Sequence, residues 1–296
     1  MPANIALVGI GKIAHDQHIP AIDNNPDWTL AATVSRNASV DGIENYTNID
    51  SLLATRPDID TISLAIPTSP RFEYASKALQ AGRHVMLEKP PGASVAECLR
   101  LEQLAKQQGV SLYATWHSRY AEGISDARKW LAQRHLKRLT IDWKEDVRVW
   151  HPDQEWVWDP SGLGVFDPGI NALSIMTEIL SVPVHLAEAT LDTPSNRQTP
   201  IAARLQFYHP DGAVVKANFD WRQTEEPVWQ LAIETDDGDI ELSFGASSLS
   251  LEYKRLYQRM SEHRSHGSID MDLAPLIHVA DACMLGQRVK VEPFYF

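Results

Sequence analysis

The first third of the chain alternates short runs of consecutive apolar residues with segments of helical composition. Ile5-Ala-Leu-Val8, Thr29-Leu-Ala-Ala-Thr-Val34, Asp60-Thr-Ile-Ser-Leu-Ala-Ile66, His84-Val-Met-Leu-Glu88 and Ser111-Leu-Tyr-Ala-Thr115 read as strands. Continuous rather than alternating hydrophobicity is what a parallel strand buried on both faces requires. Residues 71–81 and 94–108 predict helices that stop at Gly82 and Gly109. This is the rhythm of a doubly wound parallel sheet. Pro20 falls inside the first helical segment and predicts a short or broken helix there. After a helix-like stretch at 121–134 the pattern changes. Strand-like segments recur at 136–149, 184–192, 201–209, 213–220, 228–235 and 240–244, with few helices between them. They predict a mostly antiparallel open sheet, interrupted by one helix from about 168 to 180. A closing helix, 273–285, is expected to pack back on the first domain. The predicted fold is α/β: a Rossmann dinucleotide-binding domain over 1–120, then an α+β substrate-binding domain over 121–296. The active site is expected in the crevice between them, at the strand carboxyl ends.

The first strand feeds directly into Gly9-Ile-Gly11-Lys-Ile-Ala14, a G-x-G-x-x-A sequence. Gly9 permits the tight turn, Gly11 lets backbone amides approach a pyrophosphate, and Ala14 allows close helix–sheet packing. Lys12 and Ile13 lie in the same loop, and Pro67 and Glu88 follow or end later strands; all four are expected cofactor contacts. The end of the second strand reads Ser35-Arg36-Asn37, with no acid until Asp41. An NAD-specific fold places Asp or Glu there to accept from the ribose 2′-hydroxyl. A guanidinium beside a hydroxyl grips a 2′-phosphate instead, so Ser35 and Arg36 predict NADP as the preferred cofactor, with NAD also accepted.

Bulk properties suit a two-domain enzyme. At 296 residues the chain exceeds one ordinary domain, and its hydrophobic content of 44% suffices for two cores. A net charge of −12 argues against a nucleic-acid surface. No apolar run reaches membrane-spanning length, no leader-like segment precedes the first strand, and two cysteines form no disulfide framework. A cytoplasmic protein with a small-molecule partner is expected, without nucleic acid or membrane, and a homo-oligomer is compatible with this composition.

Three groups of residues could carry chemistry. Lys89, in Glu88-Lys89-Pro90, projects from a strand carboxyl end, where it reads either as a surface cation or as a donor to a substrate hydroxyl. Asp167 precedes Pro168 and reads as a helix N-cap, with Asn171 one turn further on the same face. Six of the nine tryptophans fall between Trp116 and Trp158, interleaved with His117, Glu145, Asp146 and His151. Indole faces stack on the C–H faces of pyranose rings, whereas packing is the plainer reading for several of them. Trp221 and Trp229 read as core of the later sheet. There is no G-x-S-x-G elbow and no P-loop, and the His15/His18 and His263/His266 spacings lack companion ligands, so no metal is expected.

Together these features resemble the Gfo/Idh/MocA oxidoreductase family over nearly the whole chain. Within that family, Gly9-Ile-Gly-Lys-Ile-Ala-His-Asp-Gln-His18, Met86-Leu-Glu-Lys-Pro-Pro-Gly92, Ala114-Thr-Trp-His-Ser-Arg119, Trp143-Lys-Glu-Asp146 and Gly164-Val-Phe-Asp-Pro-Gly-Ile-Asn171 are similar to bacterial aldose 1-dehydrogenases acting on L-arabinose and D-galactose. The resemblance implies oxidation of an aldopyranose (L-arabinose, D-galactose or D-fucose) at C1 to the aldonolactone by hydride transfer. It implies a hydrogen bond from Lys89 to the reacting hydroxyl, sugar contacts by Glu145 and His151, and a pocket lined by His117, Trp150 and Trp229. Many members carry His four residues after the Asp. Here Asn171 stands there and cannot take a proton, which leaves Asp167 as the expected base and Asn171 as an orienting group. A non-catalytic NAD(P)- and sugar-binding regulator of the same fold, or an inositol-type dehydrogenase, is the alternative.

Overall fold

The computed structural model describes residues 2–296, and for residue 246 the backbone only. In chain order the first elements are β1 (Ala3–Val8), α1 (Ile19–Asp23), β2 (Trp28–Val34), β3 (Glu44–Tyr46), α2 (Ile49–Thr55) and β4 (Thr61–Leu64). Then come α3 (Thr68–Gln80), β5 (His84–Glu88), α4 (Val95–Gln108), β6 (Leu112–Thr115), α5 (Ile124–Leu131) and β7 (Leu136–Lys144). Two helices follow, α6 (Val147–Trp150) and α7 (Phe166–Ile179). Five strands succeed them: β8 (His185–Pro194), β9 (Ala202–Tyr208), β10 (Val214–Asp220), β11 (Val228–Thr235) and β12 (Gly238–Ser243). The last elements are α8 (Leu249–His266), β13 (Ile269–Asp270), α9 (Ala274–Leu285) and β14 (Gln287–Val291).

The chain forms two compact units, one of Met1–Tyr120 with Leu249–Leu273, the other of Ala121–Ser248 with Ala274–Phe296. In the first unit the strands run parallel in the order β13-β6-β5-β4-β1-β2-β3. Ile5 to Val8, Thr61 to Leu64 and Leu112 to Thr115 are buried throughout, as their unbroken apolar character requires. Helix α4 shows how its sequence sets its limits. The Ser94 hydroxyl accepts from the Glu97 amide at 3.3 Å, Glu97 reaches back to the Ala93 amide at 3.0 Å, and Gly109 closes the helix at φ 66°. Pro20 acts as expected: the segment after the glycine loop is a π-helical turn at Ala14–His18, followed by only five α-helical residues.

In the second unit the order is β12-β11-β7-β10-β9-β8-β14. Four of its pairings are antiparallel, and β7–β10 and β8–β14 are parallel, so the sheet is mixed.

Three expectations need correction. The strand expected over 136–149 ends at Lys144, because the Asp146 side chain accepts from the Arg148 amide at 2.9 Å and starts the helical turn α6. The helix expected to return to the first domain, 273–285, packs instead on α7 and β8, burying Leu276, Val279 and Ala282. The returning element is α8. Its Tyr253, Leu256, Tyr257 and Met260, spaced for one helical face, join Ile5, Leu7, Trp28 and Met86 in the core of the first unit. Asp167, finally, is not an N-cap. Helix α7 begins one residue before it, capped by Val165 without a side-chain bond, so Asp167 sits within the first turn. No described helix is long and apolar enough to cross a membrane.

Candidate active site

At the end of β1 the chain turns at Gly9 with φ 91°. A Cβ there would lie 2.6 Å from Ile66 Cγ2 and 2.7 Å from the Ala65 carbonyl oxygen, so only glycine fits. A Cβ on Gly11 would meet nothing within 4 Å, which leaves the loop open to a close-lying pyrophosphate. Ile13 is 37% exposed, Lys12 pairs with Asp16 in solvent, and Pro67 is exposed ahead of α3. Ser35 is tied to β3 by its amide to the Tyr46 carbonyl at 2.9 Å and by the Asn45 side chain to its own carbonyl at 3.1 Å. Arg36, next to it, is exposed. These residues fit a nicotinamide dinucleotide, which supplies a hydride acceptor when bound.

Glu88 and His117, expected as a cofactor contact and a pocket residue, are both buried and hydrogen-bonded within the first unit. Glu88 is buried, with Oε1 accepting from the Tyr253 hydroxyl at 2.6 Å and Oε2 from the Lys89 amide at 2.7 Å. His18 Nε2 lies 3.2 Å from Oε1. Burial pushes the Glu88 carboxyl up, but His18, the charge of His117 and the Tyr253 hydroxyl outweigh it and hold the group at about 2. His117 is buried too; its Nδ1 lies 2.7 Å from Glu252 Oε2 and its ring stacks on Tyr253 at 5.4 Å. Both residues belong to a polar network inside the first unit. Lys89 is half-buried at the end of this strand rather than a solvated surface cation.

The second unit gathers Glu145, His151, Asp167, Trp150 and Trp229. Past β7 the Glu145 amide bonds the Asp220 carbonyl at 3.0 Å, which keeps Glu145 beside the end of β10 before the turn of α6 delivers Trp150 and His151. On the other side Gly164, at φ 57°, lets the chain pass Pro200 and enter α7; a Cβ there would lie 2.4 Å from the Pro200 carbonyl oxygen. The outcome is His151 Nε2 at 3.1 Å from Asp167 Oδ2. The His151 Nδ1 stands 3.3 Å from Gln154 Oε1, and that oxygen is identified by the Trp156 indole, which can only donate to it, at 3.0 Å. His151 Nδ1 therefore carries a hydrogen, and Nε2 is the nitrogen that faces Asp167.

Glu145 is 4% exposed, with Oε2 accepting from the Trp229 indole at 2.9 Å and Oε1 from the Trp221 indole at 3.4 Å. Burial pushes its carboxyl up to about 7; the Asp167 charge acts in the same direction, against the His151 charge and the two indoles. Trp229 also stacks on Trp143 at 5.7 Å and lies against Trp150 at 5.3 Å. Asn171, one turn along α7 from Asp167, is half-buried. Trp221, read from the sequence as core alone, is fully buried and yet holds Glu145; its place between His151 and Trp158 is visible only in three dimensions. Trp116, by contrast, bonds the Asp272 carbonyl at 2.8 Å within the first unit. Among the described residues no group of three or more His, Cys, Asp or Glu could hold a metal ion.

A family model described as an oxidoreductase family with an NAD-binding Rossmann fold, Gfo/Idh/MocA, matches residues 3–115. The chain is 40% identical to galactose 1-dehydrogenase of Pseudomonas fluorescens, over 99% of each chain. The chain belongs to the Gfo/Idh/MocA family. As a member it is an oxidoreductase. The crystal structure of D-galactose-1-dehydrogenase protein from Rhizobium etli is 49% identical, with a TM-score of 0.95 over 99% of this chain and 98% of that one. A 3-ketoreductase from Actinomadura kijaniata, crystallised with NADP, is 16% identical and shares the fold alone, with a TM-score of 0.80 over 98% and 100% of the two chains.

The raised carboxyl of Glu145 has a consequence for the stability of this Gfo/Idh/MocA enzyme. The folded protein keeps a proton up to about pH 7 that the unfolded chain releases near 4.5. The associated stability is present below the lower value and lost as pH rises through the upper one. Glu145→Gln stays neutral throughout. The melting temperature of the variant relative to the native protein is expected to be higher at pH 8 than at pH 5. An equal difference at both pH values would show that Glu145 titrates normally.

Proposed function

We propose that the chain is an aldose 1-dehydrogenase, which oxidises D-galactose, L-arabinose or D-fucose in pyranose form at C1 to the aldonolactone. The reading places it in the cytoplasm, with NADP preferred and NAD accepted. The observation that carries it is the His151–Asp167 pair, 3.1 Å apart beside the indole-held Glu145. The similarity to two galactose dehydrogenases supports the substrate class.

The anomeric C1 bears both a hydrogen and a hydroxyl. A nicotinamide held at the Gly9–Ala14 loop would supply the acceptor for that hydrogen as hydride. Asp167 accepts the hydroxyl proton, and His151 Nε2 keeps the carboxylate oriented. Lys89 is assigned a hydrogen bond to that hydroxyl, where it stabilises developing alkoxide charge. Glu145 and His151 contact ring hydroxyls, Trp150 and Trp229 offer apolar faces to the ring, and Asn171 orients the sugar without taking a proton. Asp167→Asn preserves shape and removes the base. Its kcat is expected to fall by about 10² or more, with cofactor affinity nearly unchanged. A variant with near-native kcat takes Asp167 out of the mechanism.

D-Galactopyranose and L-arabinopyranose share configuration at C2, C3 and C4 and differ by a hydroxymethyl at C5. Buried hydrogen-bonding groups reject a misplaced hydroxyl because they are left unpaired. An aldose panel read by reduced-nicotinamide absorbance is expected to show turnover of D-galactose, L-arabinose and D-fucose. D-Glucose, inverted at C4, is expected to be at least about tenfold less efficient. Equal efficiency with glucose and galactose contradicts a pocket that reads C4.

Cofactor preference turns on Ser35 and Arg36. A charge-assisted hydrogen bond is worth about 1.5–3 kcal/mol, or about 10- to 150-fold in affinity. Arg36→Ala is expected to raise KM for NADP by about that factor and to leave NAD nearly untouched. Equal weakening of the two cofactors assigns Arg36 a role other than reading the 2′-phosphate.

A further inference from the structure

The backbone on both sides of Lys89 is held by buried side chains. Arg71, in the first turn of α3, is only 3% exposed. Its guanidinium donates through Nη1 to the carbonyl oxygens of Glu88 and Pro90, the two residues that flank Lys89. Through Nε, at 3.2 Å, and Nη2 it also donates to the Ile66 carbonyl, just beyond the end of β4. One rigid fork thus joins the ends of two adjacent strands. On the opposite side the Glu88 carboxylate receives the Lys89 amide at 2.7 Å and is itself fixed by the Tyr253 hydroxyl at 2.6 Å. The Lys89 side chain is a flexible four-carbon stem, so the direction of its ammonium depends on where the backbone points it.

We propose that Arg71, with Tyr253 acting through Glu88, is a positioning residue that aims Lys89 at the reacting hydroxyl. The proposal rests on the catalytic role assigned to Lys89 above. The Arg71 guanidinium is spent on backbone carbonyls; it fixes the main chain on either side of Lys89. Lysine at position 71 keeps the charge but loses the planar fork, so it cannot serve both flanking carbonyls and Ile66 at once. Misplacing a catalytic group by about 1 Å costs up to about 10² in rate. The loss is expected in kcat, because Lys89 supports charge that develops during reaction, and the cofactor loop at residues 9–14 is untouched.

A double-mutant cycle separates positioning from general structural support. The variants are Arg71→Lys, Lys89→Ala and the double variant, with Tyr253→Phe in both backgrounds as a second probe that deletes only a hydroxyl. Arg71→Lys is expected to lower kcat by about 10- to 100-fold in the native background. In the Lys89→Ala background it is expected to change kcat by less than about twofold, since a misaimed side chain that is absent cannot be missed. Tyr253→Phe is expected to show the same dependence with a smaller loss. Equal fold-losses in both backgrounds, or full activity in Arg71→Lys and Tyr253→Phe, overturn the positioning role. Should Arg71→Lys fail to fold, Tyr253→Phe decides alone: additivity with Lys89→Ala overturns the proposal. Near-native kcat in Lys89→Ala itself sinks the catalytic role of Lys89. Additive losses with a crippled Lys89→Ala sink only the positioning role.

Discussion

The Glu88 carboxylate is buried at the end of β5, and much of the first unit is arranged to supply it with donors. Tyr253 comes from α8 and the Lys89 amide from the next residue of the chain, while His18, in the turn after the glycine loop, brings Nε2 to within 3.2 Å. An unpaired carboxylate at this depth would cost several kcal/mol. The need for the Tyr253 hydroxyl explains why residues 249–273 belong with the first unit rather than with the strands that precede them. Apolar packing goes the same way: Leu256, Tyr257 and Met260 cover β1 and β2 residues, and the Trp28 indole donates to the Tyr257 carbonyl at 3.0 Å. The same carboxylate fixes the backbone from which Lys89 extends.

Glu145 offers a controlled contrast with Glu88. Both are glutamates at a strand end, both are nearly inaccessible, and each takes two hydrogen bonds. Yet burial lifts one to about 7 while the other is held at about 2. The difference lies in the neighbours. Glu88 has His18 and His117 as electrostatic neighbours and the Tyr253 hydroxyl as a donor; Glu145 has two neutral indoles, and there the opposing charges of His151 and Asp167 leave burial dominant. A carboxyl poised near neutrality beside a second carboxylate is what proton-transfer sites require, and a permanently ionised one suits a scaffold. On physical grounds, then, the second network rather than the first suits the acid–base role in the proposed reaction.

Much of this was legible in the sequence. The glycine loop, the unbroken apolar strands and the Ser94 and Gly109 helix limits are local signals, and each appears within a few residues of its expected place. Six of the seven strands of the second sheet were equally readable from period and length; β14, after α9, was not read. Helix α8 was not read, although Tyr253, Leu256, Tyr257 and Met260 hold helical spacing. Its buried face is completed by Glu252 and His263 rather than aliphatic residues, and its exposed face is dense in charge, so the hydrophobic contrast is weak. Asp167 was mistaken for a cap because Pro168 suits the first helical position, whereas it stands at the third. Trp221 and Arg71 had no sequence signal as site residues, since what matters about each is a partner far away along the chain.

The departure at Asn171 is where local pattern and spatial arrangement diverge most. Read along the helix, replacing a histidine four residues after Asp167 by asparagine removes an imidazole from the same face. In space, an imidazole reaches Asp167 all the same, carried by the segment after α6 and oriented through Gln154 and Trp156. A helix-borne histidine would have been fixed by the helix backbone. His151 lies outside regular structure, so its ring depends on side-chain bonds and on packing against Trp156 and Trp221. The density of tryptophan in residues 143–158 therefore has two causes rather than one. Some of these indoles fill space, while Trp156, together with Trp221 and Trp229 from the later sheet, orients the polar groups that, in the proposed reaction, hold the sugar and take its proton.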